Sequence, residues 1–245
     1  MRSDLMRTEP ENSSDQLNAF LHRIDVLLDS RREKGADMPV VAAIDGMCGS
    51  GKTTCAEWLA RKYGCSVIHM DDFYLPVPLR TPQRYAEPGG NVHYERFLDE
   101  IVKPLAALRK KVQNARQPFG MMDGEMLVYR KFDCMHMDYA DEPVRIPVTP
   151  LLVIEGTYSL RREFLPLYDI TAFMTCSKET QKARLLKRNG RERWEMFRTK
   201  WIPLECAYFD SMHPADAAMY RICMDSAVTV THDGYCSGVA TYCPS

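Results

Sequence analysis

The sequence predicts a three-layer α/β domain in which a mostly parallel sheet carries helices on both faces. Two observations predict this class. Short, continuous apolar runs such as 39–44 and 151–154 alternate along the chain with longer segments of helical periodicity. Continuous apolar runs are typical of parallel strands that are covered on both faces. Their alternation with helices indicates a parallel sheet, because parallel strands need crossover connections that are usually helical.

Periodicity and end signals place the helices. Gly35 is expected to cap the first helix at its C-terminus, and Ser177 is expected to be the N-cap of a later one. Pro104 and Pro203 fall inside predicted helices and are expected to bend or split them, because proline lacks the amide hydrogen. The predicted helices cover, in chain order, 17–28, 52–63, 94–111, a segment from 178 onwards, and 191–212.

Apolar runs of strand length place the strands. The predicted strands are, in chain order, 39–44, 66–70, 151–154, 170–176 and 218–224. Between them, 118–148 is predicted to be a small extended or hairpin insertion, with a turn at Asp123-Gly124. We expect a single domain overall, made of an N-terminal helix that packs on the core (1–37), the main domain (38–225) and a C-terminal extension (226–245).

Composition and charge exclude several classes of protein. Apolar residues make up 45% and the net charge is −1, so nothing indicates a nucleic-acid partner or a membrane surface. No apolar stretch approaches the roughly 18 residues of a membrane span, and the polar start lacks the apolar core of a signal peptide. Nine cysteines without a C-x-x-C pair favour reduced thiols over disulfides or zinc. We therefore expect a cytoplasmic protein and leave a homo-oligomer open.

A glycine-rich loop follows the first predicted strand. Residues 46–53 match the complete phosphate-binding pattern G-x-x-x-x-G-K-[ST] and join a strand to a helix. The glycines let backbone N–H groups converge on nucleotide phosphates at the positive end of that helix. Lys52 is predicted to reach the β- and γ-phosphates, and Thr53 to hold Mg²⁺. The predicted nucleotide-binding residues are Gly46, Met47, Cys48, Gly49, Ser50, Gly51, Lys52, Thr53 and Thr54.

Acidic residues follow two other predicted strands. Glu155 brings a carboxylate to the carboxyl edge of the sheet, where such sheets bind ligands, and is predicted to support Mg²⁺. Asp71 and Asp72 follow strand 66–70, which we expect beside the strand that feeds the phosphate loop. Adjacent residues at a strand end point to opposite sides, so one acid is expected to face an acceptor and the other to bond backbone amides or meet solvent. The sequence has no N-K-x-D motif for guanine, yet a nucleotide site alone leaves GTPases, motor ATPases and kinases open.

A basic segment precedes the last predicted strand. Residues 178–200 contain nine Lys or Arg against three Glu. Arg184, Arg188 and Arg191 are spaced i, i+4, i+7, which puts them on one helical face. Such a face is either a lid whose guanidinium groups stabilise charge on a transferring phosphoryl group, or a solvated helix surface.

Six motifs, in this order, resemble the uridine kinase-like branch of the P-loop kinases, which is related to phosphoribulokinase and pantothenate kinase. They are IDGMCGSGKTT, MDDFYLP, GGNVHYERF, YRKFDC, VIEGTYS and WIPLECAYF, and the similarity runs from about residue 40 to 215. The resemblance implies the three-layer fold of the P-loop NTPases. It also implies transfer of the γ-phosphoryl group of ATP to a hydroxyl of a small molecule, with Mg²⁺ as cofactor.

The resemblance implies roles for individual residues. In nucleoside kinases of this type the Asp that opens D-x-F-Y activates the 5′-hydroxyl, and that position is Asp71. His93 stands where many relatives carry an Asp that holds the ribose hydroxyls. Arg191 is expected to join the ATP site. The predicted catalytic residues are Asp71, Lys52, Arg184 and Arg188, and the predicted acceptor-binding residues are Asp71, Tyr74, His93, Phe132 and Arg184.

The leading interpretation is therefore a kinase for a nucleoside such as uridine or cytidine. A kinase for another small alcohol, pantothenate-like or ribulose-phosphate-like, is the alternative. A catalytically silent nucleotide-binding protein and an ATPase or GTPase switch are further alternatives. The joint presence of Asp71, Glu155 and the arginines of the basic segment favours the enzyme.

Overall fold

The structure, a computed structural model, describes residues 13–33, 38–114, 124–225, 229–230 and 236–237. The helices are α1 (Ser13–Glu33), α2 (Lys52–Tyr63), α3 (Pro82–Ala86), α4 (Tyr94–Phe97), α5 (Lys103–Asn114), α6 (Lys178–Met196), α7 (Ile202–Met212) and α8 (Pro214–Ala217). The strands are β1 (Val40–Gly46), β2 (Ser66–His69), β3 (Met126–Tyr129), β4 (Phe132–Asp133), β5 (Asp138–Tyr139), β6 (Val144–Pro147), β7 (Leu151–Glu155), β8 (Ile170–Thr175), β9 (Tyr220–Cys223), β10 (Thr229–Val230) and β11 (Cys236–Ser237).

Five strands form one sheet in the order β2-β7-β1-β8-β9, and every neighbouring pair is parallel. Side chains along β1 alternate between the two faces of the sheet. Val41 and Ala43 face the layer that contains α4, α5 and α7. Val40, Ala42 and Ile44 face the layer that contains α1 and α2. The predicted three-layer α/β fold is confirmed.

The predicted position of the second strand is wrong. β2 does not lie beside β1, because β7 pairs with both of them. The burial of the strands gives the physical reason. All five residues of β7 are buried, whereas β2 is only half-buried at three of its four positions. The more polar β2 therefore lies at the edge of the sheet, and the continuously apolar β7 lies in its interior.

Both predicted helix interruptions are present. Pro104 lies in the first turn of α5, directly after a π-helical turn at Leu98–Val102. Pro203 lies in the first turn of α7, directly after a second π-helical turn at Phe197–Trp201. A proline ring crowds the carbonyl four residues earlier and donates no hydrogen bond, so the preceding turn widens.

The insertion consists of β3 paired with β6 and β4 paired with β5, both antiparallel. The predicted cap Gly35 lies outside the described residues, and so do Asp123 of the predicted turn and most of 226–245. None of the described helices is both long enough and apolar enough to cross a membrane.

Candidate active site

A cavity of about 940 Å³ opens at the carboxyl edge of the sheet. Twelve of the residues predicted from the sequence line it: Cys48, Gly49, Gly51, Lys52, Thr53, Thr54, Asp71, Tyr74, Phe132, Glu155, Arg184 and Arg188. The phosphate loop, the acidic residues Asp71 and Glu155, and part of the basic segment therefore line the same cavity.

The phosphate loop needs glycine where it leaves β1. Gly46 has φ +138°, and a Cβ there would lie 1.9 Å from the carbonyl oxygen of Met174 in β8. Gly51, with φ +100°, is the left-handed residue from which α2 starts. No other residue type adopts these conformations without strain. The loop is therefore held close to β8 and open toward the N-terminus of α2, where an anion is favoured.

Lys52 turns back onto the loop that it follows. Its Nζ donates to the carbonyl oxygens of Gly46, at 2.8 Å, and Met47, at 2.9 Å. The side chain is only 7% exposed. The ammonium group is therefore bound by loop carbonyls, and it lies beside the anion site that the loop forms.

Thr53 and Glu155 form a pair of oxygen ligands. The Thr53 hydroxyl donates to Glu155, with Oγ1 and Oε1 3.2 Å apart. His69 faces Glu155 across the β2–β7 ladder, and its Nδ1 lies 2.6 Å from the same Oε1. This hydrogen bond raises the pKa of His69. Mg²⁺ binds through one or two carboxylates together with phosphate and water oxygens, so a hydroxyl and a carboxylate beside the phosphate loop fit it.

Asp71 and Asp72 lie in a 3₁₀ turn, Met70–Phe73, and not at the end of an extended strand as predicted. Asp71 lines the cavity and accepts a hydrogen bond from the Tyr74 hydroxyl at 2.8 Å. Asp72 accepts from the Tyr129 hydroxyl at 2.9 Å and lies 3.5 Å from Nζ of Lys131. Only Asp71 lines the cavity, as expected. Asp72, however, is bound by side chains and not by the expected backbone amides or solvent. In a 3₁₀ turn, which has three residues per turn, neighbouring side chains point about 120° apart and not to opposite sides.

The surroundings of Asp71 disfavour its charge. Its surface is open to the cavity, but protein surrounds it on the other sides, and this burial raises the pKa of the carboxyl above its ordinary value. The Tyr74 hydroxyl and the Lys52 ammonium oppose that effect. A carboxyl with a raised pKa that faces a cavity is typical of a general base.

No protein-family model matches the chain. Among solved structures, the chain is similar to a candidate uridine kinase from Bacillus stearothermophilus, at 20% identity and a TM-score of 0.53 over 82% of this chain and 97% of that one. It is also similar to YFH7 from Saccharomyces cerevisiae, a candidate P-loop kinase with a circular permutation, at 12% identity and a TM-score of 0.57 over 84% and 98%. The chain has the same three-layer α/β fold as these two proteins.

The basic segment is not one continuous helical face. Gly190 has φ +76° and ψ 175° and breaks α6 internally. Arg184, before the break, donates to the carbonyl oxygen of Gly49 at 3.1 Å, and Arg188 also lines the cavity. Arg191 lies past the break and does not line the cavity, whereas Arg193 does. The prediction for Arg191 assumed an unbroken 3.6-residue period.

His93 is a further predicted residue that does not line the cavity. Its ring stacks on Tyr139 and shares a hydrogen bond with the Tyr139 hydroxyl. Asn91, two residues earlier, lines the cavity instead. It is 4% exposed, and its Oδ1 has no hydrogen-bond partner within the described part of the chain. Gly46, Met47 and Ser50 belong to the phosphate loop but do not line the cavity either.

Two buried acids support the phosphate loop and were not predicted. Asp45, fully buried before the loop, accepts from the backbone N–H of Leu160 and the hydroxyl of Tyr208, both at 2.8 Å. Burial raises the pKa of Asp45 to about 6. Glu205 of α7 accepts from the backbone N–H of Cys48 at 3.1 Å. Their only sequence signal was an acid within an apolar context, in AAIDG and in WIPLECAYF.

Cys48 behaves as a structural residue in this loop. Burial and the neighbouring Glu205 carboxyl raise the pKa of its thiol far above the ordinary value. A thiol in such a setting stays protonated at neutral pH and is a poor nucleophile. We therefore interpret the Cys48 side chain as a small group that fills space in the loop, and not as a nucleophile.

Proposed function

We propose that the protein is an ATP- and Mg²⁺-dependent kinase that transfers the γ-phosphoryl group to a hydroxyl of a small molecule. One observation carries the proposal. The Asp71 carboxyl shares a single cavity with the phosphate-loop Lys52 and with the oxygen pair of Thr53 and Glu155. A regulatory nucleotide-binding protein or a GTPase needs no such acid opposite its phosphates.

Different residues have different roles in the proposed phosphoryl transfer. Backbone N–H groups of the loop bind the phosphates, and Lys52 exchanges its loop carbonyls for phosphate oxygens. Thr53 and Glu155 would hold Mg²⁺, which would supply positive charge beside the phosphates. Arg184 and Arg188 approach the loop from α6 and stabilise the charge that spreads over the transferring group.

Asp71 acts on the acceptor. It orients the hydroxyl and accepts its proton, while the acceptor oxygen forms a bond to the γ-phosphorus. The bond from that phosphorus to the bridging oxygen breaks, and ADP leaves with the electron pair. Most of the rate enhancement in such reactions comes from positioning and electrostatics, with the base as one contribution.

The acceptor side of the cavity supports a ring-bearing acceptor, with a nucleoside such as uridine or cytidine as the first candidate. Tyr74 packs edge-to-face against Phe132 and lies nearly parallel to Trp201, with ring centroids 5.9 and 6.0 Å apart. The position of His93 outside the cavity favours a second candidate, another small alcohol without a ribose. Residence in the cytoplasm and the absence of a nucleic-acid partner stay predictions.

A substrate screen tests the proposal. The unaltered protein and Asp71→Asn are incubated with ATP–Mg²⁺ and, one at a time, uridine, cytidine, other nucleosides, pantothenate and sugar alcohols, and ADP release is followed. We expect release that depends on one class of compound and is lost in the variant. If no compound raises ADP release above the ATP-only rate while ATP still binds, the protein is a silent nucleotide-binding protein and the proposed activity is wrong.

A further inference from the structure

The cavity extends well beyond the phosphate loop on the side away from Asp71. The residues that line this extension come from four elements and are mostly apolar. They are Leu17 and Leu21 of α1, Thr54, Cys55, Trp58 and Arg61 of α2, Leu185 of α6, and Met224 after β9. We call this part of the cavity the apolar arm. None of the described residues in the apolar arm is acidic.

The order of the sheet gives the direction in which a bound nucleotide must lie. The phosphate loop follows the central strand β1, Asp71 follows the edge strand β2, and Met224 follows the opposite edge strand β9. In-line transfer requires the γ-phosphate to face the acceptor, which lies on the β2 side. The other end of the nucleotide therefore extends toward β9, where the apolar arm lies.

The chemistry of the arm matches a planar heterocycle. Leu17, Leu21 and Trp58 offer apolar and aromatic surface. The guanidinium of Arg184 lies at the junction with the phosphate loop, because it donates to the carbonyl oxygens of both Gly49 and Met224. Apolar walls with a few fixed polar groups are typical of small-molecule sites.

Helix α1 is held firmly in this place. Phe20 packs edge-to-face on Tyr220 of β9, with ring centroids 5.7 Å apart. The Tyr63 hydroxyl of α2 donates to Asp25 at 2.7 Å, and Arg31 pairs with Asp169 at 3.1 Å. Leu17 and Leu21, only 2% and 3% exposed, are thus fixed walls of the apolar arm.

We propose that α1 forms one wall of the nucleobase site, so that this N-terminal helix is part of the nucleotide pocket as well as of the core. The inference rests on the proposed function, which assigns the phosphates of ATP to the loop. It goes beyond that function, because the phosphate-loop motif contains no residue of α1.

The test separates the base from the phosphates by using two ligands. Calorimetry gives Kd for ATP and for inorganic tripolyphosphate with the unaltered protein, the double variant Leu17→Ala/Leu21→Ala, and Leu28→Ala. Leu28 is buried in the same helix but does not line the cavity, so its variant controls for lost core packing. We expect the double variant to bind ATP about tenfold more weakly, the order of magnitude for lost apolar contact. Tripolyphosphate affinity should stay within about twofold, and Leu28→Ala should change neither.

A second measurement needs no variant. Photolabelling of the unaltered protein with 8-azido-ATP, followed by peptide mapping, should modify peptides that contain α1 or Trp58. Unchanged ATP affinity in the double variant, a parallel loss for both ligands, or label only outside these peptides would overturn the inference. An unaltered protein that binds neither ATP nor tripolyphosphate would instead overturn the proposed function on which the inference rests.

Discussion

Asp71 and Asp72 are neighbours in the chain, but their side chains have different surroundings. Asp71 faces the cavity and accepts a hydrogen bond from the Tyr74 hydroxyl, whereas Asp72 is bound by Tyr129 and Lys131. We expect Asp71→Asn to keep ATP affinity and to lower kcat at least about a hundredfold, because a general base contributes about 10²–10⁴-fold. Asp72→Asn should change kcat only a few-fold. Calorimetric ATP titration and steady-state kinetics measure both.

The pH profile adds a second readout for the same residue. A base must be ionised to accept the proton, and burial raises the pKa of Asp71. kcat of the unaltered protein should therefore fall as the pH drops through that raised pKa, and the fall should be absent from the residual activity of Asp71→Asn. The assignment of the base is wrong if Asp72→Asn is the more damaging change.

Glu205 shows how a buried acid can serve as a hydrogen-bond acceptor. Its Oε2 accepts from the Cys48 N–H of the phosphate loop, and burial raises its pKa. Glu205→Gln keeps an acceptor oxygen, so its free energy of unfolding should stay within about 1 kcal/mol of the unaltered protein at neutral pH. Glu205→Ala should lose about 1–3 kcal/mol, because the N–H is left without a partner. Urea denaturation without nucleotide gives both values.

The sign of the pH dependence follows from the direction of the Glu205 shift. A folded-state pKa above the unfolded one means that the folded protein binds more protons in the window between them. The stability that Glu205 contributes therefore falls as the pH rises through that window. The Gln variant does not titrate there, so its stability does not fall in this way. The stability of Glu205→Gln relative to the unaltered protein should rise with pH. Equal destabilisation of the Gln and Ala variants would show that the charge, and not the acceptor oxygen, is required.

At the scale of elements, the break in α6 gives a matched pair of arginines. Arg188 lines the cavity before Gly190, and Arg191 lies past it, outside the cavity lining. Arg188→Ala should lower kcat more than it raises KM for the acceptor, because the charge that it meets develops during transfer. Arg191→Ala should leave both constants nearly unchanged. Kinetics that show only a higher KM for Arg188→Ala would make it an acceptor-binding residue instead.

The helices and strands were largely predictable from local signals. The breaks within helices were predictable only in part. Proline interrupts a helix wherever it occurs in the interior, so the interruptions at Pro104 and Pro203 were predictable from the sequence. A glycine inside a helical pattern is ambiguous, because it either continues the helix at a cost or leaves it. The conformation of Gly190, and with it the position of Arg191, therefore could not be deduced from spacing.

At the scale of the whole molecule, the fold class and the phosphate loop were predictable, and the neighbours of each strand were not. A motif and a periodicity are local, but the insertion of β7 between β1 and β2 depends on which strand is buried more completely. Asp45 and Glu205 were missed for the same reason. Asp45 is bonded by Tyr208 and Glu205 by Cys48, and each of these two pairs is separated by more than 150 positions in the chain.

The cavity joins elements from the whole chain, so a bound nucleotide should stabilise the entire fold. A ligand that binds only the folded state adds about 2.7 kcal/mol to the free energy of unfolding at about 100 times its Kd. We expect ATP–Mg²⁺ to raise the stability of the unaltered protein by this amount in urea denaturation. Lys52→Ala should lose most of the increase, because it removes a charged contact to the phosphates worth about 1.5–3 kcal/mol. Asp71→Asn should keep all of it, since Asp71 acts on the acceptor. If Asp71→Asn loses the increase as Lys52→Ala does, Asp71 holds the nucleotide and the division of the cavity into a phosphate side and an acceptor side is wrong.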